Sequence, residues 1–285
     1  ASLTTLRGMA NGAQVVSLGG DHSLEETQNV IKHLVTDPSI EYAEPDLLMV
    51  PMAAPNDLMY GDQWHYFEST GGLNVETAWE LGEGEGAVVA VLDTGYRPHV
   101  DLMGNILPGY DFISVASMGN DGDGRDNDAS DPGDAMAVGE CGSGFPSEDI
   151  PSSWHGTHVA GTIAALANNE IGVAGVAPKA KVVPVRVLGK CGGFTSDITD
   201  AMLWAAGLAV DGVPANENPA DVINMSLGSS VPTSCSQTYS NAIADVRNAG
   251  AIVVIAAGND NANADTYPPG NCPGAFTVAA NNRSG

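Results

Sequence analysis

In the stretch Trp154-His155-Gly156-Thr157-His158-Val159-Ala160-Gly161-Thr162-Ile163-Ala164-Ala165-Leu166, the apolar residues Val159, Ile163 and Leu166 recur at i, i+4 and i+7. That spacing predicts a helix with one face on a core and His155 in its first turn. Gly156, Gly161 and the alanines keep such a helix thin, so neighbouring backbone can come close. An imidazole at a helix start, flanked by glycine, is open to a substrate.

Upstream, Ala87-Val88-Val89-Ala90-Val91-Leu92 is an unbroken apolar run that ends in Asp93-Thr94-Gly95. A run of that kind predicts a strand covered on both faces, with Asp93 at its carboxyl end, where open parallel sheets hold their ligands. A carboxylate buried there needs a partner. Further strands are expected at Lys181 to Val187, Val222 to Met225, Ala251 to Ala257 and Phe276 to Ala279. Helices are expected at Asn74 to Leu81, along the stripe Ile198, Ala201, Met202, Ala205 and Leu208, and along Tyr239, Ala242, Ile243 and Val246 before Gly250. Alternation of strands with helices predicts an α/β fold, a mainly parallel sheet with helices on both faces.

Residues 1–53 read differently. Ser23-Leu24-Glu25-Glu26 is a capping box, and Leu24, Thr27, Ile31 and Leu34 continue a helical stripe that ends before Asp37-Pro38. Val15 to Leu18, Ile40 to Ala43 and Leu47 to Val50 are expected as strands, giving a small α+β unit. Pro51 to Asp57, with its small residues, marks the boundary to a second domain over 54–285.

With 10 basic against 35 acidic residues the net charge is -25, which argues against nucleic acid and anionic membrane as partners. The longest apolar run, Ala251 to Ala257, is too short to cross a bilayer. Cys141, Cys191, Cys235 and Cys272 lack the short spacing of zinc sites. Three pairings are open to them in a secreted, oxidised protein. The one expected is Cys141 with Cys191 and Cys235 with Cys272, which closes the shorter loops.

Asn120 to Asp134 packs six aspartates among glycines. Alternating Asp and Gly can fold oxygen ligands around a hard cation, which makes Asp121, Asp123, Asp126, Asp128 and Asp131 candidate Ca2+ ligands, although the glutamate that closes an EF-hand loop is missing. The competing reading is a solvated acidic loop. His155 and His158 stand at i, i+3 rather than the i, i+4 of zinc proteases, so His158 is expected to be structural.

Four segments in order, Asp93-Thr94-Gly95, His155-Gly156-Thr157-His158-Val159-Ala160-Gly161, Asn224-Met225-Ser226-Leu227-Gly228 and Ala256-Ala257-Gly258-Asn259, resemble the signatures of subtilisin-like serine proteases, the subtilases. The resemblance covers the chain after about Ala53. It implies that His155 is the general base, that Asp93 orients it and that Asn259 donates to the oxyanion. Gly192, Gly193, Ser226, Leu227, Gly228, Ala257 and Gly258 would bind an extended polypeptide substrate, with an uncharged first pocket that suits a sizeable apolar residue. Asp101, Asn169 and the carbonyls of Ala167, Ile171 and Val173 would form a calcium site, with Asn56 or Asp57 completing it. Residues 1–53 would be the chain's own propeptide, an intramolecular inhibitor and folding aid, with Asp37 to Asp46 resembling its end.

The resemblance implies a secreted, extracellular, monomeric and calcium-dependent serine endopeptidase. It also implies that the nucleophile is outside this sequence, because no Gly-Thr-Ser-Met-Ala segment occurs before Gly285. Neither Ser226 nor Ser284 takes that role, and residues 1–285 alone are expected to be inert. A relative that binds peptide or calcium without catalysis is the alternative. A nucleotide-binding doubly wound protein would need a Gly-x-Gly-x-x-Gly after its first strand, and none occurs.

Overall fold

The computed structural model describes residues 3–46 and 54–285. The chain divides into two compact units, residues 1–53 and 54–285. In the first, strands β1 (Thr4–Gly8) and β2 (Gln14–Ser17) form an antiparallel hairpin. Helix α1 (Leu24–Leu34) follows.

The capping box holds α1 as expected. The Glu26 amide donates to Ser23 Oγ at 3.2 Å, and the Ser23 amide to Glu26 Oε2 at 2.8 Å. No residue of α1 is fully buried, and Leu24 is exposed, so the stripe runs from Thr27 to Leu34 instead. The expected strand at Ile40 to Ala43 is irregular chain, and β2 pairs instead with β1, a strand the sequence did not signal. Leu47 to Val50 and the boundary residues Pro51 to Ala53 lie outside the described residues.

In the second unit the helices are α2 (Trp64–Phe67), α3 (Val75–Trp79), α4 (Ala116–Gly119), α5 (His155–Ala164), α6 (Thr195–Ala205) and α7 (Gln237–Asn248). The strands are β3 (Val88–Asp93), β4 (Tyr110–Asp111), β5 (Lys181–Arg186), β6 (Val222–Met225), β7 (Ile252–Ala256) and β8 (Phe276–Val278). They form one six-stranded sheet in the order β4-β5-β3-β6-β7-β8, and every pairing in it is parallel.

Period two along β3 separates two cores. Ala90 and Leu92 pack with Ile198, Met202, Ile243 and Val246 of α6 and α7, whereas Val91 packs with Ala160 and Ala164 of α5 and with Val182. Helices therefore cover both faces, as the alternation of patterns predicts.

Two expected helices are shorter than their patterns. Asn74 takes a left-handed conformation ahead of α3, and α6 stops at Ala205, so Leu208 lies beyond it. In α5 the small residues Gly156, Ala160 and Ala164 are the buried ones, while Val159 and Ile163 are only half-buried. The helix thus approaches the sheet on its thin side. Among the described residues no helix is long and apolar enough to cross a membrane.

Candidate active site

Asp93 ends β3 and is fully buried. Its two carboxylate oxygens lie 2.8 and 2.9 Å from Nδ1 of His155. A carboxylate can only accept, so Nδ1 carries the proton and Nε2 is left as the acceptor. The Thr94 amide fixes the carboxylate further, donating to Asp93 Oδ1 at 2.7 Å. The hydrogen bond that His155 donates to Asp93 raises its pKa above the ordinary 6.5, burial opposes the shift, and the charges of Asp93 and Asp134 add to it.

The entry to α5 is set by backbone. Trp154 adopts a positive φ of 51° and offers no side-chain cap. The Gly156 amide instead donates to Thr94 Oγ1 at 3.0 Å, and that hydroxyl donates to the buried Asp131 at 2.8 Å. Asp131, Thr94 and Gly156 therefore lock the first turn of α5 to the end of β3, which aims His155 at Asp93.

His155 faces a cleft of about 340 Å³ at the carboxyl ends of β3, β5 and β6. Thr94, Leu188, Gly189, Gly192, Ser226, Leu227 and Gly228 line it, together with Asp134, Met136 and Ser153. A roomier hollow of about 570 Å³ lies near the opposite strand ends, beside Trp79, Glu83 and Lys179. It holds none of the site residues, so size does not mark the site.

Of the residues expected to bind substrate, Gly192, Ser226, Leu227 and Gly228 line the cleft and Gly193, Ala257 and Gly258 do not. Gly193 is glycine for another reason, since a side chain there would strike the Val187 carbonyl. Asn259 lies beyond the end of β7, exposed and outside the cleft wall. Its side chain makes no hydrogen bond among the described residues. His158 is exposed.

Both expected disulfides are present, Cys141–Cys191 and Cys235–Cys272. The acidic loop, however, does not gather its aspartates. Asp121 and Asp111 meet the Arg186 guanidinium, which is 1% exposed, Asp126 and Asp128 close turns on Asp128 and Ser130, and Asp131 holds Thr94 and Gly133. Among the described residues no three acidic, histidine or cysteine side chains form a metal-holding group. Arg186 thus pairs with one of the expected ligands, Asp121. Its signal was visible as a lone charge closing the apolar run of β5.

The other calcium set fits its metal better. Asp57 and Asp101 are 5% and 2% exposed, and neither has a Lys or Arg within ion-pair distance among the described residues. Both bracket Asn169, whose Nδ2 donates to Asp101 at 2.7 Å and whose amide lies 3.5 Å from Asp57. Carboxylates, a side-chain amide and loop carbonyls are the oxygen donors a hard cation takes.

Residues 84–285 match the sequence profile of the subtilase family. The chain belongs to that family. It is 49% identical over 283 residues to an extracellular protease of Xanthomonas campestris pv. campestris, covering 99% of this chain and 48% of that one. It is also 49% identical over 278 residues to an extracellular basic protease of Dichelobacter nodosus, covering 96% of this chain and 45% of that one. The chain thus spans about half the length of these curated relatives. A solved structure of a protease from Pseudoalteromonas arctica superposes with a TM-score of 0.79 at 63% identity, over 81% of this chain and 67% of that one. The subtilase sheet described above is the fold of that structure.

Thr94, Met136 and Ser153 carry no signal in the sequence as site residues, Asp134 counts there only among the loop's aspartates, and Asp131 is expected as a Ca2+ ligand where the structure has it hold Thr94. Only the neighbourhood of Thr94 to Asp93 hints at the lock on α5.

Proposed function

We propose that the protein is a secreted serine endopeptidase, and that a serine carried on residues after Gly285 completes a triad with His155 and Asp93. The observation that carries this reading is the pair of short contacts between the Asp93 carboxylate and His155 Nδ1 at the edge of a cleft.

Nε2 takes the proton of the serine hydroxyl as Oγ bonds to the scissile carbonyl carbon, and Asp93 stabilises the imidazolium that forms. The carbonyl oxygen becomes an oxyanion, for which Asn259 is the proposed donor; such a donor is worth about 3 kcal/mol. Nε2–H then protonates the leaving amine as the C–N bond breaks. Water then bonds to the acyl carbon as it gives a proton to Nε2, and the C–Oγ bond breaks as Nε2–H returns that proton to the serine, releasing the acid.

The peptide would lie extended along Ser226 to Gly228 and Gly192, pairing backbone to backbone. Asp57, Asp101, Asn169 and the carbonyls of Ala167, Ile171 and Val173 would hold Ca2+, which when bound supplies charge to two buried carboxylates and ties the loops together. Residues 1–53 would act as the inhibitory propeptide. Disulfides and the two extracellular relatives support secretion.

Casein hydrolysis by the full-length protein tests the reading. Activity that His155→Ala abolishes supports it; a full-length protein that binds peptide without cleaving it favours the non-catalytic alternative.

A further inference from the structure

Apart from His155, the residues lining the cleft carry one ionisable side chain, Asp134. It stands on the same wall as Met136 and Ser153 and close enough to the imidazole for its charge to act on His155. Ser153 orients it, the backbone amide donating to Oδ1 at 2.6 Å and the hydroxyl to Oδ2 at 2.7 Å. Each oxygen keeps a further lone pair. Among the described residues no Lys or Arg lies within ion-pair distance of Asp134, unlike Asp121, Asp197 and Asp200.

The wall is also fixed. Met136 pairs with Ile150, Cys141 is bonded to Cys191 next to Gly192, and Lys190 meets Glu140 at 2.9 Å. An oriented carboxylate with spare acceptors, held on a tethered wall of an otherwise uncharged cleft, is a receptor for a cation.

We propose that Asp134 is a specificity-determining residue that selects a lysine or arginine side chain on the substrate residue packing beside His155. The inference rests on the proteolytic reading of the same cleft and adds a substrate class to it. A basic side chain there gains an ion pair, and an acidic one meets like charge. The wider charge of -25 draws cationic peptides toward the protein in the same sense.

The test is a positional-scanning peptide library cleaved by the full-length protein, its Asp134→Asn variant and its Asp134→Lys variant. Asn keeps an acceptor for the Ser153 amide while removing the charge. At one substrate position the wild type prefers Lys to Glu about tenfold in kcat/KM. The preference shrinks as salt is raised, falls to about twofold or less in Asp134→Asn, and reverses in Asp134→Lys.

A Lys-to-Glu ratio unchanged in both variants overturns the proposal and leaves the protease intact. Absence of hydrolysis by the wild type overturns the proteolytic reading, and this inference with it.

Discussion

The carbonyl oxygen of Gly95 occupies the space that a side chain on Gly156 would need, and the Asp93 carboxylate stands 3.2 Å from the same point. Helix α5 can therefore reach the end of β3 only with glycine in its first turn. Gly156→Ala is expected to cost about 1–3 kcal/mol of stability, the usual range for overpacking, and to open the contact between Asp93 and His155. Urea unfolding reads the first effect, and kcat/KM of the full-length protein at a temperature where the variant is folded reads the second. An Ala variant with unchanged values of both would show that the helix has room to move.

Asp93→Asn is expected to leave the fold in place and lower kcat about 10⁴-fold, as removal of the orienting charge does in serine proteases. The amide can donate to Nδ1, which forces the proton to Nε2 and leaves no acceptor for the serine. Circular dichroism and peptide kinetics together check it. A drop of less than about tenfold would mean that Asp93 does not set the tautomer.

The Asp93 hydrogen bond raises the pKa of His155 above 6.5, and a general base works only when neutral. As pH rises, kcat/KM is expected to climb through a value above 6.5, and Asp93→Asn should move that limb to lower pH. For stability the sign is opposite. The pairing favours protonated His155, so its contribution is full below 6.5 and is lost as pH rises through the folded-state value. The pH–rate profile and imidazole NMR titration report the same group from two sides.

Arg186 is 1% exposed and meets Asp111, Asp121 and the Gly119 carbonyl. Arg186→Met removes the partner of two carboxylates, one of them fully buried, and is expected to destabilise by about 3–5 kcal/mol. Thermal unfolding measures it. A loss below about 1 kcal/mol would show that the carboxylates find water or another cation instead.

Chelation of calcium is expected to lower the Tm of the full-length protein, since a ligand at a hundred times its Kd adds about 2.7 kcal/mol. In Asp101→Asn the Tm should be lower from the start and indifferent to added Ca2+. Equal sensitivity of wild type and variant would place the calcium elsewhere.

The order of apolar runs gave the sheet, because strands covered on both faces and helices with one apolar side carry period and length in the sequence itself. The pairing of Asp93 with His155 was legible only through the resemblance of their segments to the subtilase signatures; the patterns themselves place each residue at the end of a regular element. What stayed hidden depends on backbone reversals and long-range partners. The left-handed turn at Trp154, the choice of Arg186 for Asp121 and the lock from Asp131 through Thr94 to Gly156 have no local pattern. The acidic loop shows the same limit, since its composition suits a cation while Asp121 meets a guanidinium from β5.

Labelling by a fluorophosphonate, followed by peptide mapping, tests the triad most directly. The full-length protein is expected to be labelled at one serine beyond Gly285, His155→Ala to remove the label, and residues 1–285 alone to take none. A label on Ser226, or on any other serine within residues 1–285, would contradict it.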